Sequence, residues 1–270
     1  MTKKLFSAPF IAFLICGTLI PACVIAYYGF TDRSGVFTWA NVAAMATGQH
    51  AKALGLSLAL AFISTVICLL LAFPLGLILK ETKLGKKGFM IFVFILPMWM
   101  NFLLRTMAWQ VLLEKNGIIN GFLASIGLPR LAIINTSAAV VLGMVYDYLP
   151  FMVLPIYNAI IKIDKNLIEA AYDLGAEKTT VLTKIIIPLS IPGIVSGVTM
   201  VFVPSLTTFA ISNMLGGGKV NLIGNIIEQE FTASSNWNLG SGLSLVMMIF
   251  IVISMALIEK FDRNGEGNLI

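Results

Sequence analysis

Long apolar runs alternate with short polar connections along the chain, and the lengths of the runs decide its class. A helix that crosses the hydrocarbon core of a bilayer needs about 20 apolar residues. Six stretches reach that length, at about 5–30, 54–79, 88–112, 133–157, 188–215 and 239–258. The second is free of charge, with Pro74 near its end; the third holds Pro97 and Arg105, and the fourth Asp147 and Pro150. The fifth opens at Pro188, which suits a helix start because the missing N–H would lack a partner there anyway. The pattern predicts an all-α membrane protein of six transmembrane helices, with residues 1–270 as a single transmembrane domain and no internal repeat.

The first run follows Lys3 and Lys4, as a signal peptide does, and Ile20-Pro21-Ala22-Cys23 resembles a lipoprotein cleavage box. However, it stays apolar past Cys23 to Phe30. That is longer than the about 7–15 residues of a signal h-region, so a retained span is expected.

Composition agrees with this reading. The chain is 58% hydrophobic and 11% charged, whereas soluble domains carry roughly a quarter charged residues. Its net charge of +5 raises nucleic acid as a partner, but the basic residues gather at the ends of apolar runs, where topology accounts for them, so no nucleic-acid partner is expected. With the N-terminus, the 80–87 loop, the 158–187 segment and the tail on one side, Lys and Arg divide twelve against five. The excess places both termini and the 158–187 segment in the cytoplasm. Cys16, Cys23 and Cys68 lie inside apolar runs without CxxC spacing and read as small hydrophobes, and His50 has no Cys or His companion, so no metal site is expected.

The polar segment between the fourth and fifth runs still has helical order. Asp164 suits an N-cap, and Leu167, Ile168, Ala171 and Leu174 form an apolar stripe. Gly175 suits the left-handed residue that ends a helix, and a second amphipathic piece from Thr179 to Ile187 leads into Pro188. A hairpin lying on the lipid surface is the alternative, and the mixture of Glu169, Asp173 and Glu177 with Lys178 and Lys184 weighs against it.

Glu169-Ala170-Ala171, three residues, Gly175, nine residues, Ile185, one residue and Ile187-Pro188 resemble the EAA coupling loop of bacterial ABC-importer permeases, with Ile187 where the family has leucine. Further similarity lies in Pro97 to Asn101, Gly143 to Tyr146, Leu149 to Pro155, Leu167 to Ala176, Met214 to Gly217 and Leu222 to Asn225. These resemble the first of the two permease subunits of spermidine/putrescine importers, over roughly residues 54–260. The resemblance implies the type I ABC-importer permease fold in a bacterial inner membrane. It implies as partners a similar second permease, two copies of an ATPase subunit and an extracytoplasmic polyamine-binding protein. ATP and magnesium would be bound by the ATPases, leaving this chain without a cofactor and without catalysis. Coupling falls to Glu169, Ala170, Ala171, Asp173 and Gly175, on a hairpin that the closing ATPases pull inward so that the permease pair opens outward; hydrolysis resets it.

A phosphate loop is not expected at Gly216-Gly217-Gly218-Lys219, because Val220 follows the lysine and the segment falls on the external side. One loop histidine also argues against the common nucleophilic triads. Arg105 and Asp147 are charges within spans, and such residues face a bundle interior or a wet route. Asn101, Arg105 and Trp109 form one stripe, as do Gly143, Asp147, Phe151 and Asn158, and breaks at Pro97 and Pro150 would loosen both helices. A polycation path needs carboxylate and aromatic faces, for which Trp99, Trp109, Tyr146, Asp147 and Tyr148 are suitable, with Ser205, Thr208 and Ser212 as a polar stripe on the fifth span. Arg105 pairing with Asp147 as structural glue is the equal alternative. Gly193 and Gly197 give a small-residue face expected to meet a partner permease. Glu228 and Glu230 either meet a substrate-delivery protein or are solvated. Rival readings are a permease for another solute, such as an oxyanion held by Arg105, and a secondary transporter or channel.

Overall fold

Apolar runs become helices, but the helices break at Asn101 and Thr208, where hydropathy does not fall. A computed structural model describes residues 13–81 and 96–267, the last seven as backbone only. Expectations resting on residues 1–12, on 82–95 and on the Arg263 side chain lie outside the described residues. Among the described residues there is no strand, only an isolated antiparallel bridge between Thr31 and Phe37.

The elements in order are α1 (Ile20–Gly29), the short α2 (Ala40–Ala43), α3 (Gly48–Glu81), α4 (Phe102–Leu113), α5 (Ile118–Ser125) and α6 (Ser137–Ile161). Then follow α7 (Lys165–Asp173), α8 (Lys178–Thr207), α9 (Ala210–Gly216), α10 (Ile223–Thr232) and α11 (Trp237–Gly267). Four of the described helices, α3, α6, α8 and α11, are long and apolar enough to cross a membrane.

The remaining expected spans differ instructively. The described part of the third is broken: a 3-10 turn at Leu96–Trp99 is followed by Asn101, whose side-chain oxygen accepts from the Leu103 N–H at 2.8 Å and starts α4 afresh. The fifth also divides, because Thr208 turns extended between α8 and α9. The first contains a π-helical turn at Ile15–Leu19 just before Pro21, and α8 contains another at Leu182–Ile186 just before Pro188. A proline cannot donate to the carbonyl four residues back, and a wider turn relieves the clash. Pro150, by contrast, produces no break, since α6 runs unbroken through Pro150 and Pro155.

The chain separates into two compact units. One comprises Met1–Leu54 with Ile223–Ile253; the other comprises Gly55–Leu222 with Ser254–Ile270. In the first, the Asn41 and Asn238 amides both donate to the Thr31 carbonyl, at 2.9 and 2.7 Å. In the second, α8 packs along α6 with the chains nearly touching. A Cβ on Gly193 would stand 2.5 Å from the Ala159 Cβ and 2.6 Å from the Pro155 carbonyl oxygen, and one on Gly197 would stand 2.7 Å from the Met152 sulfur. The expected partner-permease contact of these glycines is therefore corrected: they serve close packing inside the chain, because only a missing side chain admits α6 at that distance. Two apolar clusters complete this core, one around Val140, Met144, Ile211 and Leu215, the other around Cys68, Met152, Ile156 and Val201.

Candidate functional site

Two places carry chemistry, and the polar hairpin between α6 and α8 is the first. Asp164 caps α7 by accepting from the Asn166 N–H at 3.0 Å. At the other end the Gly175 N–H donates to the Tyr172 carbonyl and the Ala176 N–H to the Ala171 carbonyl, each at 2.9 Å, with Gly175 at φ +81°. This is a Schellman closure, and its left-handed residue strains any side chain. No residue of α7 is buried. Glu169, Ala170, Asp173 and Gly175 are exposed and Ala171 half-buried, while Leu167, Tyr172 and Leu174 present large apolar surface, Leu174 at 89% exposure. A polar hairpin that keeps its apolar stripe outward has room for a protein groove on that face.

The second place is a buried polar cluster where α4 meets α6. Arg105 Nε lies 3.3 Å from Asp147 Oδ1, with the side chains only 6% and 2% exposed. The pair is close without aligned hydrogen bonds: Arg105 Nε and Nη1 and Asp147 Oδ1 each lack one. The other carboxylate oxygen accepts from the Thr106 hydroxyl at 3.0 Å. Tyr146 sits to one side with its ring centroid 6.0 Å from the guanidinium carbon and 5.3 Å from the Trp109 ring in an edge-to-face contact. On the other side the Tyr148 hydroxyl donates to the Pro204 carbonyl at 3.4 Å and lies against Thr208. That carbonyl is available because α8 ends at Thr207 and Thr208 is extended.

Of the residues expected along a pathway, the structure thus gathers Arg105, Trp109, Tyr146, Asp147, Tyr148 and Thr208. Ser205 is fully buried beside Pro204 with its hydroxyl unpartnered. Trp99 and Asn101 precede α4 and are exposed, Trp99 at 78%, and the Asn101 oxygen is engaged as the cap. Ser212 leaves the stripe because it falls on α9, where its hydroxyl donates to the Val220 carbonyl. Thr106 was not singled out from sequence, although a hydroxyl next to the one arginine inside a span is a natural partner for a carboxylate on the facing helix.

Residues 72–264 match the family of binding-protein-dependent transport system inner membrane components. The chain belongs to this family. Among relatives of this inner membrane component, the spermidine/putrescine transport system permease protein PotB of Haemophilus influenzae is 35% identical over 276 residues, covering 98% of this chain and 96% of the relative. The protein of the same name from Escherichia coli K12 is 33% identical over 261 residues, covering 94% and 95%. A bacterial ABC transporter involved in the import of the acidic polysaccharide alginate superposes with a TM-score of 0.83 at 16% identity, over 97% of this chain and 95% of that one. An inward-facing MetNI methionine ABC transporter superposes with a TM-score of 0.53 at 20% identity, over 80% and 94%. These likenesses show that the chain has the fold of type I ABC-importer permeases.

Proposed function

We propose that the chain is a permease subunit of an ATP-driven ABC importer for spermidine and putrescine. The observation that carries this reading is the 35% identity across 98% of the chain to a permease named for those two polyamines. A second permease completes the translocation path, two ATPase subunits supply energy with ATP and magnesium bound on them, and an extracytoplasmic binding protein delivers the polyamine. Both termini and the α7 hairpin lie in the cytoplasm, as the twelve-to-five division of Lys and Arg supports.

In the proposed mechanism α7 fills a groove on the ATPase. Leu167, Tyr172 and Leu174 supply apolar contact, Glu169 and Asp173 polar contact, the small Ala170 and Ala171 let the helix seat, and Gly175 turns the chain back into α8. Since α8 is continuous from Lys178 to Thr207 and packs tightly on α6, a movement of the hairpin reaches both helices. Midway along α6, Asp147 attracts an ammonium group, and Tyr146 with Trp109 of α4 offers ring faces.

The test is the ATPase rate of the purified complex with the cognate binding protein. Stimulation by the polyamine-loaded binding protein and none by the same protein loaded with sulfate is expected. Stimulation by sulfate alone would overturn the polyamine assignment, and transport without any ATPase would overturn the reading as a whole.

A further inference from the structure

The unit formed by Met1–Leu54 and Ile223–Ile253 contains neither the α7 hairpin nor the Arg105–Asp147 pair. Two cavities open side by side on α1 and share Val24 and Tyr28 in their walls. One, of about 720 Å³, is polar and is lined by Arg33, Ser234, Ser235 and Asn238 beside the Trp237 ring. The other, of about 580 Å³, is apolar and is lined by Ile15, Leu19, Ile20, Cys23 and Tyr27.

The polar cavity has the makeup of a phosphate site. Arg33 is the charged residue in its lining, which Asp32 does not join; Asp32 Oδ1 accepts from the Ser34 and Val36 N–H groups at 2.8 and 2.9 Å within its own loop. Guanidinium and hydroxyl donors suit phosphate oxygens. Both walls are tied down. The Asn238 amide donates to the Thr31 carbonyl at 2.7 Å, and the Ser234 and Asn236 N–H groups donate to the Gln229 and Glu230 carbonyls at 2.9 and 2.8 Å, with Ser235 left-handed at φ +49°.

The apolar cavity decides what carries the phosphate. From Ile15 to Tyr28 the groove follows about 20 Å of helix, against about 15 Å for one leaflet of a hydrocarbon core about 30 Å thick. A free anion would use only the polar half. Tyr27, Tyr28 and Trp237 cluster at the boundary between the halves, the position aromatic side chains favour at a headgroup layer.

We infer that the two cavities are one binding site for a single glycerophospholipid, its phosphate on Arg33 and the Ser234 and Ser235 hydroxyls and one acyl chain along α1. The site does not depend on which solute is transported.

The experiment labels the full chain, purified from membranes, with phosphatidylglycerol carrying a photoactivatable acyl chain, and maps the adducts by mass spectrometry. Adducts within 15–28 are expected, unaffected by millimolar inorganic phosphate. Arg33→Gln should reduce them about tenfold, as loss of one charge-assisted contact implies. Val24→Trp, which blocks the shared wall, should reduce them as well; both residues are exposed, so neither change disturbs the core. Labelling spread evenly over the spans, an effect of only one variant or none, or displacement by inorganic phosphate would each overturn the inference.

Discussion

Arg105 and Asp147 form a buried pair, and its contribution to stability can be separated from the part in transport proposed for Asp147. Removing one member of a buried pair leaves an uncompensated charge and costs about 3–5 kcal/mol, whereas removing both is close to neutral. Asp147→Asn alone should therefore lower both the thermal stability of the purified chain and polyamine uptake. Arg105→Gln combined with Asp147→Asn should restore the melting temperature but not uptake, because the carboxylate proposed to meet the ammonium is still missing. A double variant that recovers both would make the pair structural only. The two charges were legible from sequence because ionised groups inside spans are rare, but their pairing was open, since it depends on how α4 is rotated against α6. Asn101 caps α4 one turn before Arg105, and Arg105 and Thr106 both meet Asp147. Asn101→Ala should cost about 1 kcal/mol, the usual worth of such a cap, read as a lower melting temperature without loss of the polyamine response.

Among the elements, α6 and α8 pack closely along each other and α7 lies in the connection between them. Gly193→Val would press a side chain into Ala159 and the Pro155 backbone, neither of which is a flexible tip, and should destabilise by about 1–3 kcal/mol. Thermal unfolding in detergent would show it, and an unchanged midpoint would mean that α8 does not sit as closely on α6 as described. Gly175 behaves differently. A Cβ there meets nothing within 4 Å, so Gly175→Ala pays only for the left-handed backbone, about 1–2 kcal/mol. The membrane core should survive, the proposed ATPase should co-purify less, and Gly175→Asn should recover part of the loss because asparagine tolerates that conformation. The hairpin was well legible: Asp164, the stripe, and Gly175 are local signals, and each falls where predicted. The divisions of the third and fifth spans were not, because hydropathy continues across Asn101 and Thr208 while the backbone does not. Helices α5 and α10 were missed because each is a short helix of mixed apolar and polar residues inside a connection too short and too polar to read as a span.

For the whole molecule, apolar run length conveyed the class and most helix positions, since a membrane leaves few other uses for such runs. The family follows from residues 72–264, and with it the role of an inner membrane component of a transport system. What the chain carries is a property of a few side chains and of partners outside it, which is why composition and periodicity are silent there. In the proposed mechanism the α7 hairpin couples polyamine import to an ATPase. Uptake of radiolabelled spermidine into liposomes containing the complete complex measures it most directly, with binding protein outside and ATP inside for the appropriate orientation, comparing the wild type with Glu169→Arg. Uptake should require ATP and be lost in Glu169→Arg while the buried pair and the fold stay intact. ATP-independent spermidine uptake, or full uptake by Glu169→Arg, would contradict coupling through the hairpin.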